Sequence, residues 1–283
     1  MSIVYLNGEF LPDSEARVPV LDRGFIFGDG VYEVIPVYSG KLFRFEEHLQ
    51  RLQNSLNALK LSNPLTSDQW ETTLSELIRQ NGGGDQSLYL QITRGIAKRD
   101  HALPQNVTPT VFAMCNELKP QPADVIENGV AAITLDDIRW QRCHIKAISL
   151  LPNVLLRQEA LDQGAAEAIL IRDGLATEGA ASNLFCVIDG VITTPPKGPM
   201  LLPGITRDLV LELAADHDLP HQEKDISLAE LQQAEEIWLT SSTKEILSVT
   251  RLDGKAVADG KPGPLYKRML TLYQDYKHAL RSE

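Results

Sequence analysis

The chain has 283 residues, 43% of them hydrophobic and 23% charged, with a formal net charge of −11. That length is long for one domain and comfortable for two, and the apolar share supports a large core without staples. The acidic balance argues against nucleic acid or an anionic membrane as partner, since both need a basic surface. The three cysteines, Cys115, Cys143 and Cys186, have no C-x-x-C spacing and form no disulfide framework. The N-terminus MSIVYLNGEF lacks the basic and apolar regions of a signal peptide. No run approaches the ~18 apolar residues of a membrane helix. A cytoplasmic protein is expected.

From the N-terminus, residues 1–12 read as a hairpin turning at Asn7-Gly8, and residues 31–45 as a second, turning at Ser39-Gly40. Leu49, Leu52, Leu56 and Leu59 mark an amphipathic helix over 46–59. A second helix is expected over 67–80 with Ser67 as N-cap. Residues 87–93 and 108–116 are strand-like, and the Pro-rich stretch 118–124 (LKPQPAD) is a candidate linker. Beyond it come a strand at 130–135 and a helix over 153–163 that Gly164 stops. Strands follow at 167–171, 183–188 and 191–194, with turns at Asp173-Gly174 and Asp189-Gly190. A helix opens at Gly204-Ile205-Thr206, a strand over 236–240 runs into Ser241-Ser242-Thr243, and a helix over 265–280 closes the chain. Hairpins dominate, so the class is α+β, with an N-terminal domain over 1–117 and a C-terminal domain over 125–283 that carries Lys146.

Six pieces could carry chemistry, and each has a plain structural alternative. The Pro-Gly turn before Thr206 leads straight into a helix, whose free first amides suit a phosphate; it reads equally as an ordinary helix start. The hydroxyls of LTSSTKE (239–245) fit a phosphate or a solvated loop. Arg51 lies beside an apolar helix face, where it either reaches an anion or pairs with Glu47. Lys146, among Ile145, Ala147, Ile148 and Leu150, either snorkels outward or is a desolvated nucleophilic amine. Glu178 lies in a small-residue stretch, as a solvated turn carboxylate or as partner to a protonated ring nitrogen. Arg99 and His101 form either a carboxylate grip or a charged loop. His217 and His221 are four apart but Pro220 intervenes, so no metal site is expected.

Their order in one chain is the specific signal. DRGFIFGDGVYEVI, EEHLQRL, RGIAKRDHALP, HIKAISLLPNVLLRQEA, ATEGAASNLF, LLPGITRDLV and LTSSTKEI occur in sequence. Together they resemble the class IV, fold-type IV aminotransferases over about residues 3–275, and within them the bacterial D-amino acid transaminases. The resemblance implies a two-domain enzyme using pyridoxal 5'-phosphate. It transfers an amino group between a D-amino acid such as D-alanine and a 2-oxo acid such as 2-oxoglutarate, by a ping-pong route through the pyridoxamine form.

By the same resemblance Lys146 bears the cofactor and shuttles the proton. Glu178 keeps the ring nitrogen protonated, and Arg51, the amides of Ile205 and Thr206, and Ser242 bind the phosphate. Ser241 and Leu202 pack near the ring. Tyr32, with Arg99 and His101 from a second subunit, traps the substrate carboxylate, which makes a homodimer part of the site. Ser242 stands where the subgroup commonly has threonine, and it keeps the hydroxyl. The alternatives are a 4-amino-4-deoxychorismate lyase, a branched-chain L-amino acid or (R)-amine transaminase, and a non-catalytic phosphate binder. Arg99 with His101 disfavours the other transaminases, and Lys146 with Glu178 disfavours the binder.

Overall fold

In the computed structural model, which describes residues 2–282, the chain divides into two units. The first runs through Lys119 and takes back Ile145–Leu150 and the residues from Leu280 on; the second holds Pro120–His144 and Leu151–Ala279.

The first unit contains β1 (Ile3–Leu6), β2 (Glu9–Pro12), α1 (Arg23–Phe27), β3 (Gly30–Tyr38), β4 (Lys41–Leu42), α2 (Phe45–Ala58), α3 (Ser67–Gln80), β5 (Gln86–Thr93) and β6 (Thr110–Glu117). Its six strands form an antiparallel sheet in the order β2-β1-β6-β5-β3-β4. Both expected hairpins form. Asn7 and Gly8 have φ of 51° and 101°, Ser39 and Gly40 have 52° and 81°, and tight hairpin turns need such positive values. The leucine stripe of α2 and the Trp70, Leu74, Leu77, Ile78 face of α3 join Val31, Ile35, Leu88, Leu90 and Ile92 of the sheet in one core. The N-cap of α3 is Thr66, not Ser67. Thr66 accepts from the Gln69 amide and the Gln69 side chain accepts from the Thr66 amide. Only position 66 has a glutamine three residues on to close that box.

The second unit contains α4 (Ala123–Asn128), β7 (Val130–Asp136), α5 (Leu151–Asp162), β8 (Glu167–Arg172), β9 (Leu175–Gly179), β10 (Asn183–Ile188), β11 (Val191–Thr194), α6 (Ile205–Asp216), β12 (His221–Glu223), β13 (Ile226–Ser227), α7 (Leu228–Gln233), β14 (Glu236–Ser241), β15 (Glu245–Leu252), β16 (Lys255–Ala256) and α8 (Pro264–Ser282). Ten strands join in the order β12-β11-β10-β14-β15-β7-β8-β9-β13, with β16 added at β15. The strand β7 runs parallel to both of its neighbours, β15 and β8. Among the described residues no helix is long and apolar enough to cross a membrane.

One departure from the expected division matters for function. The sequence places the segment carrying Lys146 in the C-terminal domain, yet it belongs to the first unit, because its main chain bonds to β3. Several elements are not anticipated by the sequence pattern, above all β9 and the largely buried β15.

The last helix is fixed by one buried carboxylate on β14. Glu236 is 6% exposed and accepts from the amides of Leu265 (2.9 Å) and Tyr266 (2.8 Å) and from the Trp238 indole (2.9 Å). It satisfies two unpaired amides at the positive end of α8, and beyond them Tyr266, Met269 and Tyr273 are fully buried. Glu236→Ala strands three donors, two of them buried, so denaturant unfolding is expected to show a loss of roughly 2–3 kcal/mol.

Candidate active site

In the first unit, Lys146 lies on a short extended segment laid antiparallel against the start of β3. The Tyr32 amide donates to the Lys146 carbonyl (2.9 Å), the Ile148 amide to the Gly30 carbonyl (3.1 Å), and Val31 bridges to Ala147. The Lys146 amide donates to the Ser55 hydroxyl of α2 at 3.2 Å. The Lys146 side chain is half-buried, with Nζ 4.3 Å from the centroid of the Tyr32 ring. The first unit thus brings together two of the expected site residues, the amine and Tyr32.

Arg51 faces inward from α2 and is 6% exposed. Its Nε and Nη2 donate to the two oxygens of Glu33 on β3, at 2.9 and 2.6 Å. His48 Nδ1 lies 2.8 Å from the same carboxylate. The surface residue Glu47 pairs with Arg44 at 2.8 Å. Burial alone would raise the Glu33 carboxyl, but the charge and hydrogen bonds of Arg51, with those of His48, hold it down at about 2. Burial lowers the His48 imidazole, against the pull of Glu33. Glu33 and His48 were not singled out in the sequence. Both carry a signal in hindsight: each is polar at a position where the strand or helix period calls for an apolar residue.

Arg99 and His101 lie exposed on the loop between β5 and β6. Both approach the ring of Phe27, Arg99 with its guanidinium carbon 5.4 Å from the centroid and His101 with ring centroids 5.6 Å apart.

In the second unit, Glu178 near the end of β9 is 4% exposed. One oxygen accepts from Arg139, whose other donors grip Asp137 (both 2.9 Å). The other oxygen accepts from the Asn183 side chain and the Leu202 amide, both at 3.1 Å. Burial pushes the Glu178 carboxyl up to about 7, further than Arg139 pulls it down. A carboxylate this desolvated gains much from one more positive partner. Arg139, Asp137 and Asn183 are the residues missed here; Asn183 was visible within the ATEGAASNLF motif.

Ile205 and Thr206 open α6, with Gly204 as an N-cap that provides no side-chain hydrogen bond. A Cβ at 204 would meet Asn183 Oδ1 at 1.9 Å, so the turn admits only glycine. The helix packs against β14, whose end presents the Thr240 hydroxyl, buried with no hydrogen-bond partner among the described residues, then Ser241 and Ser242. Helix-start amides without a side-chain cap, beside a row of hydroxyls, match the donor set of a phosphate ester. The buried, multiply bonded Glu178 matches a protonated ring nitrogen. The residues of this unit therefore fit a phosphorylated pyridine cofactor. His221 Nδ1 lies 2.9 Å from the Leu219 carbonyl, and among the described residues no group of three His, Cys, Asp or Glu could hold a metal ion.

The profile of the family described as amino-transferase class IV matches residues 30–252, and the chain belongs to that family. The D-alanine aminotransferase of Bacillus licheniformis is 43% identical over 96% of each chain. That of Staphylococcus haemolyticus is 38% identical over 98% of each. Among solved structures, the Escherichia coli branched-chain amino acid aminotransferase is similar with a TM-score of 0.91, at 28% identity, covering 97% of this chain and 94% of that one. The T.th. branched-chain amino acid aminotransferase with pyridoxamine 5'-phosphate gives 0.92 at 27% identity, covering 98% and 94%.

The Glu33 cluster sets an acid limit on the first unit. A carboxyl held at about 2 in the fold and at about 4.3 when unfolded lends stability at higher pH, lost as the pH falls through that window. The melting temperature of the protein is expected to drop steeply below about pH 4.3, and Glu33→Gln is expected to remove that step while lowering stability at neutral pH by about 3–5 kcal/mol.

Proposed function

We propose that the protein is a D-amino acid aminotransferase, moving the amino group of a D-amino acid such as D-alanine to a 2-oxo acid such as 2-oxoglutarate. The observation that carries this reading is the amine of Lys146, on a segment bonded to β3 through the Lys146 carbonyl and the Ile148 amide, in a chain of the class IV family. The D configuration rests on relatives named D-alanine aminotransferases, matched over nearly the whole length. The branched-chain enzymes match the same span at lower identity.

The cofactor is pyridoxal 5'-phosphate, which supplies an electron sink for the charge left when the substrate Cα loses its proton. Lys146 is the amine that holds it and that carries the proton to and from Cα. Glu178 holds the proton on the ring nitrogen, and Arg139, Asn183 and the Leu202 amide keep that carboxylate in place. The amides of Ile205 and Thr206, the Ser242 hydroxyl and the Arg51 guanidinium bind the phosphate, and Leu202 and Ser241 flank the ring. Tyr32 meets the substrate carboxylate together with Arg99 and His101 of a second copy of the chain.

A homodimer is therefore part of the proposal. Around the Arg99 loop Val20, Leu21, Phe25, Ile96 and Leu103 stand exposed, Phe25 at 77%, and a second copy would cover such an apolar patch. We place the enzyme in the cytoplasm, where the buried thiols Cys115, Cys143 and Cys186 stay reduced.

The test is spectroscopic. D-alanine alone is expected to convert the absorbance of the bound cofactor, and L-alanine is not; the reverse would overturn the substrate assignment. Lys146→Ala is expected to abolish turnover, and near-normal turnover would remove the lysine from its role. Arg99→Ala is expected to raise the KM for D-alanine about ten- to hundred-fold while leaving cofactor affinity unchanged.

A further inference from the structure

The motif DRGFIFGDG (22–30) takes no direct part in the chemistry above, yet it builds the support of the Arg99 loop. Asp22 caps α1 through the Gly24 amide (2.7 Å) and accepts from the Thr110 hydroxyl (2.6 Å). Arg23, 4% exposed, donates from Nε to Asp29 (2.8 Å) and from Nη1 to the carbonyl of Asp100 (2.6 Å). Asp100 is the residue between Arg99 and His101. The same Asp29 carboxylate accepts from Arg94 at 2.8 and 3.0 Å, where the chain leaves β5. One half-buried aspartate therefore links Arg94, at the start of the loop, to Arg23, which holds the middle of the loop at Asp100, and the Arg23 amide adds a bond to the Gly95 carbonyl at 2.9 Å.

On that frame the Phe27 ring meets three side chains. The guanidinium carbons of Arg23 and Arg99 lie 4.7 and 5.4 Å from its centroid, and the His101 ring lies 5.6 Å away. The face of an aromatic ring attracts a cation. A guanidinium resting on a ring keeps its planar fork of donors for a carboxylate. Arg99 is otherwise a long exposed side chain that would lose much rotational freedom on gripping a ligand; ordering it beforehand lowers that loss.

We propose that Phe27 and Arg23 are positioning residues for the substrate carboxylate. Phe27 holds the side chains of Arg99 and His101 ready, and Arg23 holds the backbone between them. The proposal rests on reading Arg99 and His101 as the carboxylate trap.

The experiment is a double-mutant cycle on the holoenzyme with D-alanine and 2-oxoglutarate, with acetate as a bare carboxylate inhibitor. Phe27→Leu is expected to raise both the D-alanine KM and the acetate inhibition constant about three- to five-fold, with kcat nearly unchanged. Phe27→Tyr, which keeps the ring, is expected to restore both. Combined with Arg99→Ala, Phe27→Leu is expected to add much less than it does alone. If Arg99→Ala raises KM but Phe27→Leu leaves KM and acetate inhibition unchanged, or if the two effects simply multiply, the positioning role is overturned and the trap stands. If Arg99→Ala itself leaves KM unchanged, the trap reading falls and takes this inference with it.

Discussion

Two main-chain hydrogen bonds, from Tyr32 to the Lys146 carbonyl and from Ile148 to the Gly30 carbonyl, tie a distant piece of chain to the start of β3. This contact fixes the backbone from which the amine extends. The approach is close enough to dictate sequence nearby. A Cβ at Gly30 would lie 2.7 Å from the Ile92 carbonyl and 3.0 Å from an Ile148 methyl. At Gly28, with φ of 65°, it would lie 2.5 Å from the Ser149 hydroxyl, which itself donates to the Gly28 carbonyl. Gly30 thus leaves room for both β5 and the lysine segment, and Gly28, the left-handed cap of α1, leaves room for Ser149. A strand-like backbone bonded to β3 at its carbonyl and to Ser55 of α2 at its amide moves little, and a proton shuttle needs that constancy.

Each unit also solves the cost of buried charge in the same manner. Glu33 lies between Arg51 and His48, and Glu178 lies between Arg139, Asn183 and an amide. The balance differs. Arg51 outweighs burial at Glu33, which stays firmly ionised, whereas burial outweighs Arg139 at Glu178, which lies near neutrality. The first arrangement is suited to holding a cation in place. The second is suited to accepting one more positive charge. A protein with a net charge of −11 can therefore host an anionic ligand through a few fixed donors, irrespective of its overall sign.

The fold was readable wherever a local pattern decides it. The Asn7-Gly8 and Ser39-Gly40 turns and the leucine spacing of α2 each contain their own instructions. The strand β9, LATEG, has no apolar alternation and exists because β8 and β13 flank it. Likewise β15 owes its burial to β14 and β7 on either side. For the site, the order of motifs points to the chemistry, but Arg51 and Glu178 find their charged partners, Glu33 and Arg139, on other elements, a pairing that no spacing rule gives. The lysine segment illustrates the limit best. Its neighbours in sequence belong to the second unit, and hydrogen bonds to β3 and α2, with Ile145 in the core, assign it to the first.

The capping of α8 by Glu236 has a consequence for how the chain is made. A ribosome delivers β14 well before residues 265 and 266, so until those amides emerge the carboxylate has only the Trp238 indole as partner in what would be a dry interior. The parallel strand β7, near the front of the second unit, likewise waits for β15 before its far edge is paired. The first unit also draws on the end of the chain, through Lys41 bonding to the Leu280 carbonyl at 3.1 Å and Arg281 to Asp85. The sheet of the second unit therefore keeps an open edge at β7 until residues 245–252 have been made.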